Sequence, residues 1–426
     1  MAIVKGFPAV RYNSGKVELS TVVTPPYDII SPLKQKELHN RSPYNYTWID
    51  FPRDVAGEDK YAAASARLNA WLKEQVLIRD DKPSIYFYRQ QYTIRGETKR
   101  RFGFLALLKL EEGGANVHGH EHTHAAAKED RFKMITKAKA NLSPIFVVFE
   151  DKKRLMEQNL KPWALEKEPL FEVADDDKVL HAVWRIDDPQ MLERVAAKMK
   201  DEDVFIADGH HRYEVSCAYR NERRAAVSRP TGEEDFNYIL AYFTNVHSQG
   251  LTILPIHRVV SLEKAPDWDA LGAGLREYFS VEEIKGRDKF LFLIQKAGQR
   301  EHAVGLYAPG HFWLLRLKNM RYVNTRMPDK SAEYRSLDVA ILNTLVFKNV
   351  LGVEPQDVKN AIGYTADAEE AMSAADNDPT KIAFLLNPTR IDQIVSVASH
   401  GEKMPPKSTY FYPKVESGLV VYKFEE

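Results

Sequence analysis

Cysteine is almost absent from this chain of 426 residues, in which Cys217 stands alone. A single cysteine excludes an intramolecular disulfide and a cysteine-rich zinc site. Net charge is also absent, because 60 Lys and Arg residues balance 60 Asp and Glu residues, so nothing favours nucleic acid or an anionic membrane. Apolar runs of membrane-spanning or signal-peptide length are missing as well. We therefore expect a cytoplasmic protein with neither a membrane nor a nucleic-acid partner.

One segment switches abruptly from apolar to polar residues. Val204 to Ala207 is typical of a short buried strand, and Tyr213 to Arg224 is typical of a helix. The residues between them are Asp208, Gly209, His210, His211 and Arg212. A helix start offers backbone N–H groups and the positive end of the helix dipole, to which these side chains add donors and charge. The segment therefore predicts a cradle for an anion such as phosphate. The alternative is an Asp208 N-cap beside ordinary surface histidines.

The remaining pattern indicates the fold class. Glu58 to Val76 has the apolar spacing of an amphipathic helix, and the two strand-like runs between Ile85 and Leu110 predict a hairpin. Strands and helices are mixed without strict alternation, which favours an α+β fold of mixed sheets with flanking helices. The length suggests two or three domains. We expect an N-terminal α+β region (1–115), a central phosphate-binding region (116–260) and a C-terminal α+β region (261–426).

A histidine-rich segment is a second candidate site. In an extended chain alternate residues face the same way, so one face would carry four imidazoles, those of His118, His120, His122 and His124. Such a row could bind a transition metal, although histidine-rich tracts bind added metal in any case. Glu121 and Thr123 would lie on the opposite face, where the first could accept a proton and the second could donate to an oxyanion. A solvated edge is the alternative.

Two proline-containing segments add further polar residues. Lys407, Ser408 and Thr409 follow two prolines and could bind a phosphate or a carboxylate, but the glycine-spaced loop of a Walker site is absent. A stiff surface loop explains them equally. Asp28, which ends Pro25-Pro26-Tyr27-Asp28, could bind a metal or orient a substrate amine, or could belong to an ordinary turn.

The order of several motifs resembles one known family. The residues that carry the resemblance are Pro25 to Asp28, Gly103-Phe104, His120-Glu121, Thr123, Asp130-Arg131, Ser143-Pro144, Asp208 to Tyr213, Leu254-Pro255, His257-Arg258, Leu337-Asp338 and Met404 to Lys414. The chain is identified on them as a member of the bacterial and archaeal family catalogued as domain of unknown function ten-fifteen, also labelled ParB-like. The resemblance extends over essentially the whole chain, but the family has no established activity.

A more distant resemblance suggests a chemistry. The strand, the Asp-Gly-His-x-Arg turn and the helix are similar to the phosphate-binding element of the ParB and sulfiredoxin superfamily, which includes kinases of free serine. This resemblance implies that Asp208 to Arg212 hold nucleotide phosphates. It also implies a separate carboxylate that activates the substrate hydroxyl, for which Glu121 and Asp28 are the candidates.

Our hypothesis is a nucleotide-dependent phosphotransferase that acts on a small hydroxyl-bearing metabolite, such as free serine or a related amino acid. The cofactor would be ATP or ADP with Mg²⁺, and Asp208 would be the metal ligand. His210, His211 and Arg212 would neutralise the phosphoryl group, and Glu121 would accept the proton. Lys407 with Ser408 or Thr409 would bind a carboxylate or a second phosphate. The remaining substrate-binding candidates are Tyr27, Asp28, Thr123 and Arg131.

Two other functions stay open at this point. One is a non-catalytic nucleotide-binding switch that acts on a partner, as in partition proteins. The other is a metal-dependent hydrolase that uses the four alternating histidines together with Asp208 and His210. Homo-oligomerisation is compatible with all three functions.

Overall fold

Helices and strands are mixed along the chain in the computed structural model, which describes residues 2–111, 115–353 and 361–425. The α+β class is therefore confirmed. The chain forms two compact units: the first consists of Met1–Gly119, Thr123–Thr252 and Pro413–Glu426, and the second of His120–His122 and Ile253–Tyr412. The three regions expected from the sequence were defined by motifs rather than by packing, and they stay a prediction. No helix within the described ranges is both long and apolar enough to cross a bilayer.

The first unit is built on a mixed sheet. In the described part of the chain nine strands form it, in the order Val117–Gly119, Val204–Asp208, Ile145–Phe149, Tyr238–Asn245, Glu97–Lys109, Ile85–Ile94, Leu180–Ile186 and Phe171–Ala174, with Val4–Lys5 beside Glu97–Lys109. Two smaller ladders pair Val10–Tyr12 with Leu77–Arg79, and Ala140–Asn141 with Tyr422–Lys423. The predicted hairpin is present, with its turn at Arg95 and Gly96.

Helices cover this sheet and bury its apolar side chains. The α-helices of the first unit are Leu19–Val22, Pro32–Arg41, Thr47–Asp50, Lys60–Lys73, Ala125–Ala138, Lys161–Leu165, Pro189–Met199 and His210–Ala226. Short 3₁₀ turns span Tyr27–Ile29 and Asp235–Asn237, and a π-turn spans Met156–Leu160. The helix predicted at Glu58 to Val76 begins at Lys60, because the Asp59 side chain accepts hydrogen bonds from the first backbone N–H groups.

The second unit contains its own sheet and core. Within the described residues its six-stranded sheet has the order Phe279–Ile284, His311–Leu317, Ala303–Ala308, Lys381–Leu385, His257–Ser261 and Ile362–Thr365. Its helices are Trp268–Tyr278, Arg287–Ala297, Arg321–Arg326, Ala332–Arg335, Asp338–Ile341, Ala368–Asp376 and Ile391–Ser399, with a π-helix at Leu342–Lys348. Two short strands lie outside this sheet, Thr252–Leu254 and Tyr410–Tyr412. The first of them starts at the boundary of the units. Two apolar clusters, one on each side of the strands, form the core.

The segment that changes from apolar to polar residues after Ala207 forms a strand, a one-residue turn and a helix. The strand Val204–Asp208 includes the aspartate, and the helix His210–Ala226 begins two residues later. The helix start predicted at Tyr213 was therefore three residues late, and Asp208 is not the N-cap. Gly209 occupies that position with φ +91°, a conformation that lets glycine reverse the chain in a single residue.

The histidine-rich segment is not one extended run. Its strand ends at Gly119, and the helix Ala125–Ala138 begins directly after His124, which is the N-cap residue. The expected alternation of four imidazoles on one strand face is therefore wrong. The strand ends at Gly119, and a bend at Glu121 interrupts the chain before the helix begins.

Candidate functional site

Gly209 brings the start of the helix against its neighbours in a way that no other residue would allow. A Cβ atom built at this position would lie 2.9 Å from Cγ2 of Ile145 and 3.0 Å from Nε of Arg212. Both distances are shorter than ordinary carbon contacts, and the positive φ adds backbone strain for any other side chain. The missing side chain therefore provides the space in which the Arg212 guanidinium lies.

Asp208 holds two cations at the end of its strand. One carboxylate oxygen accepts a hydrogen bond from Nη2 of Arg212 at 2.6 Å, and the other accepts from Nζ of Lys414. Arg212 also donates through Nη1 to the carbonyl oxygen of Pro144. The side chains of Asp208, Arg212 and Lys414 are each at most 17% exposed. Charged groups this deeply buried are stable only when they are paired, so the three form one electrostatic unit.

Asp28 is a second carboxylate at the same place. It lies in the 3₁₀ turn that follows Pro25 and Pro26, with its carboxylate 4.0 Å from Nη2 of Arg212. The Asp28 side chain keeps 40% of its surface accessible. We call Asp28, Asp208, Arg212 and Lys414 the carboxylate–cation cluster.

The two carboxylates of this cluster have opposite pKa shifts. Burial would raise the pKa of Asp208, but the charges of Lys414 and Arg212 outweigh it and hold this pKa at about 2. The pKa of Asp28 is raised, first by burial and then by the negative charge of Asp208. Pairs of acids whose environments separate their pKa values are typical of sites in which one carboxylate stays ionised and the other exchanges a proton.

Tyr27 is stacked between two arginines beside the cluster. Its ring centroid lies 4.0 Å from Cζ of Arg131 and 6.0 Å from Cζ of Arg212. Burial raises the pKa of the Tyr27 hydroxyl to about 12, so this group stays a proton-bearing donor at neutral pH. Arg131 is fixed by Asp130 and by Asp50, to whose carbonyl and carboxylate oxygens its Nη1 donates. Arg131 therefore holds the Tyr27 ring in place, and its role in binding a substrate stays a prediction.

Two serines connect this region to the C-terminal segment. The Ser143 hydroxyl donates to the Asp50 carboxylate and lies 2.9 Å from the Ser417 hydroxyl. The segment that contains Ser417 also supplies Lys414, and it is fastened to the sheet by Arg101 and Gln90, which donate to the carbonyl oxygens of Pro413 and Lys414. These bonds fix the backbone from which Lys414 reaches Asp208.

The cavity next to these residues is small. A space of about 40 Å³ lies beside Tyr27, Arg131 and Arg212, with Asp50 and Ser143 in its wall. This volume is enough for a water molecule and is far below the several hundred Å³ of a typical small-molecule site. A larger groove of about 700 Å³ in the first unit is lined instead by residues such as Lys5, Arg79, Asp80 and Glu193, none of which the sequence motifs include.

The predicted residues Thr123 and His211 belong to a separate contact between helices. The Thr123 hydroxyl donates to the Glu214 carboxylate at 2.6 Å, and Lys128 bonds the same oxygen. The backbone N–H of His124 donates to Nε2 of His211 at 2.9 Å. Because that nitrogen accepts a proton, His211 is neutral in this arrangement. These bonds join the starts of two helices, and they engage Thr123 away from the carboxylate–cation cluster.

The Lys-Ser-Thr segment lies in the second unit, where it contacts His120. Nε2 of His120 is 3.1 Å from the Thr409 hydroxyl, and the His120 carbonyl accepts from the backbone N–H of Met404. The Ser408 hydroxyl donates to the Pro405 carbonyl within its own turn. Lys407 is exposed, with φ +56°. The Ser408 hydroxyl is thus used within its own turn, and the Thr409 hydroxyl is used by His120.

The proposed metal role of the histidines is not tested by these positions. His118 and His124 belong to the first unit, and His120 and His122 belong to the second. Nε2 of His118 lies 3.2 Å from the Asp203 carboxylate, an ordinary polar contact. Among the residues that the structure describes, no set of three candidate metal ligands includes any of the four.

The structure brings together five residues that the sequence singled out: Tyr27, Asp28, Arg131, Asp208 and Arg212. His210 begins the same helix beside them and is buried. Glu121 and Lys407 belong to the other unit, so their convergence with Arg212 stays a prediction. Sequence reasoning missed the part played by Lys414. The one available signal was its position at the end of the Met404 to Lys414 segment.

Comparison with known proteins identifies the family. The family described as "Protein of unknown function (DUF1015)" matches residues 4–340, which is most of the chain. The chain belongs to the DUF1015 family. No curated protein matches it.

Several solved structures are similar to this DUF1015 chain at a low level. A free serine kinase in complex with AMP is 12% identical, with a TM-score of 0.36 over 72% of this chain and 86% of that one. A conserved hypothetical protein from Pyrococcus furiosus is 11% identical, with a TM-score of 0.33 over 73% and 92%. SbnI with C-terminal truncation from Staphylococcus aureus is 10% identical, with a TM-score of 0.37 over 73% and 84%. Similarities this weak carry no argument about activity.

Proposed function

We propose that this protein is a nucleotide-dependent phosphotransferase whose acceptor is the hydroxyl group of a small metabolite, with free serine or a related amino acid as the first candidate. The observation that carries the proposal is the pair of carboxylates with separated pKa values, Asp28 and Asp208, beside two buried cations. The similarity to the free serine kinase structures has too low a TM-score to contribute.

Asp28 is the proton acceptor in this proposal. A general base works best when its pKa is raised toward the working pH and when the group can be reached by substrate. Asp28 meets both conditions, because its pKa is raised and 40% of its side chain is accessible. Glu121, the other candidate from the sequence, lies in the second unit and is retained as the alternative to be tested.

Asp208 has an anchoring role. Each of its oxygens accepts a hydrogen bond from a cation, Lys414 on one side and Arg212 on the other. A carboxylate bonded in this way is a weak ligand for Mg²⁺, which supports a role in holding the two cations rather than the metal role expected from the sequence. Arg212 and Lys414 would then stabilise the charge that develops on the transferring phosphoryl group.

The residues around Gly209 suit a phosphate group. The helix His210–Ala226 begins there, and its N-cap residue Gly209 has no side chain to bond the first backbone N–H groups. Nε of Arg212 is buried against Gly209 and has no hydrogen-bond partner in the described chain. A buried donor without a hydrogen-bond partner lowers the stability of the fold unless a ligand accepts its hydrogen bond. Nucleotide phosphates would be held by this helix start and Arg212, and the nucleotide, with Mg²⁺, would supply the phosphoryl group.

The balanced step is a single displacement. The acceptor hydroxyl oxygen forms the new bond to phosphorus, and the nucleotide leaves with the electron pair of the broken P–O bond. The hydroxyl proton passes to Asp28. The Tyr27 hydroxyl, which keeps its proton because of its raised pKa of about 12, is available as a donor to the acceptor molecule.

A nucleotide-consumption assay with Asp28→Asn tests the proposal. The variant should retain nucleotide binding, measured by thermal shift with ATP or ADP and Mg²⁺, while turnover with serine falls about a hundredfold or more. Asp54→Asn is the matched control, because Asp54 is 87% exposed and pairs only with Lys60 among the described residues. Glu121→Gln, assayed in parallel, tests the alternative base.

Two results would decide against this function. If wild-type protein binds nucleotide but no hydroxy-amino acid stimulates its consumption, the non-catalytic nucleotide-binding switch becomes the better description. If Asp28→Asn keeps full turnover whereas Glu121→Gln loses it, the phosphotransferase stands but its base is Glu121.

A further inference from the structure

A second cluster of ligand-type side chains lies in the first unit, apart from the carboxylate–cation cluster. It consists of Asp175, His181 and Glu416, whose candidate ligand atoms all lie within 4.8 Å of one another. The His181 ring is completely buried, and Asp175 is 13% exposed. Two carboxylates and one imidazole are a donor set that divalent first-row transition metals use.

Glu416 has an unpartnered oxygen inside this cluster. Its Oε2 atom is buried and has no hydrogen-bond partner among the described residues, and the residue as a whole is 5% exposed. A buried carboxyl oxygen without a partner costs free energy that a bound cation would recover. This orphaned atom is the independent observation that distinguishes the cluster from an ordinary group of acids.

The surroundings have an excess of negative charge. A cavity of about 120 Å³ is lined by Asp175, Asp176, Asp177 and Glu416 together with the cations Lys34 and Arg41. Both cations are already engaged, because each forms ion pairs with Asp176 and with Glu37. Within the described chain neither Glu416 nor Asp177 forms an ion pair, so the local field favours a cation.

A second layer of contacts orients the imidazole. Nδ1 of His181 is hydrogen-bonded to the Tyr88 hydroxyl, and Nε2 lies 3.0 Å from the Asp175 carboxylate. The backbone N–H of Val179 donates to the other Asp175 oxygen. Histidines that bind metals through one nitrogen have the other held by a polar partner in this way. Nε2 therefore faces the Asp175 carboxylate, whereas Nδ1 is occupied by the Tyr88 hydroxyl.

We propose that Asp175, His181 and Glu416 bind one divalent first-row transition-metal ion, such as Mn²⁺, Fe²⁺ or Zn²⁺. Two ligand atoms that are each about 2.0–2.2 Å from one ion lie about 3–4.4 Å apart, depending on the angle between them, and the limit of 4.8 Å places this group close to that range. Three protein ligands leave further coordination positions to water. The imidazole disfavours Mg²⁺ and Ca²⁺, which take oxygen ligands.

The bound ion would fix the segment that serves the other cluster. Glu416 lies two residues after Lys414, whose ammonium group bonds Asp208. Holding Glu416 in place would therefore stabilise the backbone that positions Lys414. This consequence needs no assumption about the reaction, and metal binding itself is independent of the proposed phosphotransfer.

Metal analysis of the full chain, purified without a histidine tag, is the test. We expect about one ion per chain after wild-type protein is loaded with Mn²⁺ or Zn²⁺ and dialysed, and a rise in melting temperature with the metal alone. Glu416→Gln and His181→Asn should each weaken metal binding by at least tenfold. Losing a residue that only bonds a metal ligand already costs about tenfold in affinity, and losing a ligand itself should cost more. Asp177→Asn is the control, because it removes a neighbouring charge outside the ligand set.

The outcomes are separable. Wild-type protein that retains neither Mn²⁺ nor Zn²⁺ overturns the proposal, and so does metal uptake that is unchanged in both ligand variants. Equal losses in Asp177→Asn and Glu416→Gln would show general attraction of cations by the acidic surface and would also overturn it. If one ligand variant does not fold, the other decides. Because the readouts are metal content and melting temperature, they are unaffected by a failure of the kinase assay.

Discussion

Replacing Asp208 by asparagine should destabilise the protein strongly, because this carboxylate is the common partner of two buried cations. Its pKa is lowered from 3.8 to about 2, which at about 1.4 kcal/mol per pH unit amounts to about 2.5 kcal/mol in favour of the ionised form. Asparagine keeps the shape but not the charge. We therefore expect Asp208→Asn to lose about 2–4 kcal/mol at pH 7, since Arg212 and Lys414 also lose their bonded anion.

Urea denaturation at several pH values measures this loss. A carboxylate with a depressed folded pKa contributes its full stability above its unfolded pKa, and the contribution disappears as the pH falls through the folded pKa. The difference between wild type and Asp208→Asn should therefore be constant from about pH 5 to pH 8 and should shrink as the pH approaches about 2. Asp54→Asn serves as the exposed control. A difference below about 0.5 kcal/mol at pH 7, or one that does not change in acid, would refute the reasoning.

Three further predictions concern the same site. Asp28→Asn should raise the free energy of unfolding at pH 7, because the raised pKa of Asp28 means that its ionised form is disfavoured in the folded state. Urea denaturation at pH 7 measures this change, and a lower free energy of unfolding in the variant would contradict the prediction. Gly209→Ala should cost about 2–4 kcal/mol through positive-φ strain and the contact with Ile145, and an unchanged melting temperature would argue against it. Arg212→Lys should lower the free energy of unfolding by about 1–3 kcal/mol and weaken nucleotide binding, because lysine cannot bond the Pro144 carbonyl and an anion at the same time as a guanidinium can. Binding calorimetry with ATP measures the affinity, and an unchanged affinity would count against the phosphate role of Arg212.

Local elements were predictable where the residues themselves impose the structure. The strand that begins at Val204 and the hairpin between Ile85 and Leu110 were predicted with nearly the observed bounds, because apolar runs and turn residues define them directly. The helix start at His210 was missed, because a positive φ at Gly209 shortens the turn to one residue. The extended form of His118 to His124 was wrong, because the strand ends at Gly119 and the chain bends at Glu121.

Membership of the candidate site depended on tertiary contacts. The sequence pointed to Asp208, Gly209 and Arg212 together, since neighbouring residues on a strand end and a helix start must lie close. It gave no way to rank Asp28 above Glu121. Our proposal prefers Asp28 because burial and the nearby Asp208 charge raise its pKa, and both causes depend on packing.

The sequence by itself determined the α+β class, the strand–glycine–helix element and the chemistry available to it, because periodicity and residue type act over a few neighbouring residues. Only the tertiary structure decided which distant groups complete that chemistry. Lys414 reaches Asp208 across 206 positions of sequence, and Glu416 faces His181 with no motif to announce either contact. Such pairings depend on how sheet and chain end pack together, and a single sequence contains no local signal for that arrangement.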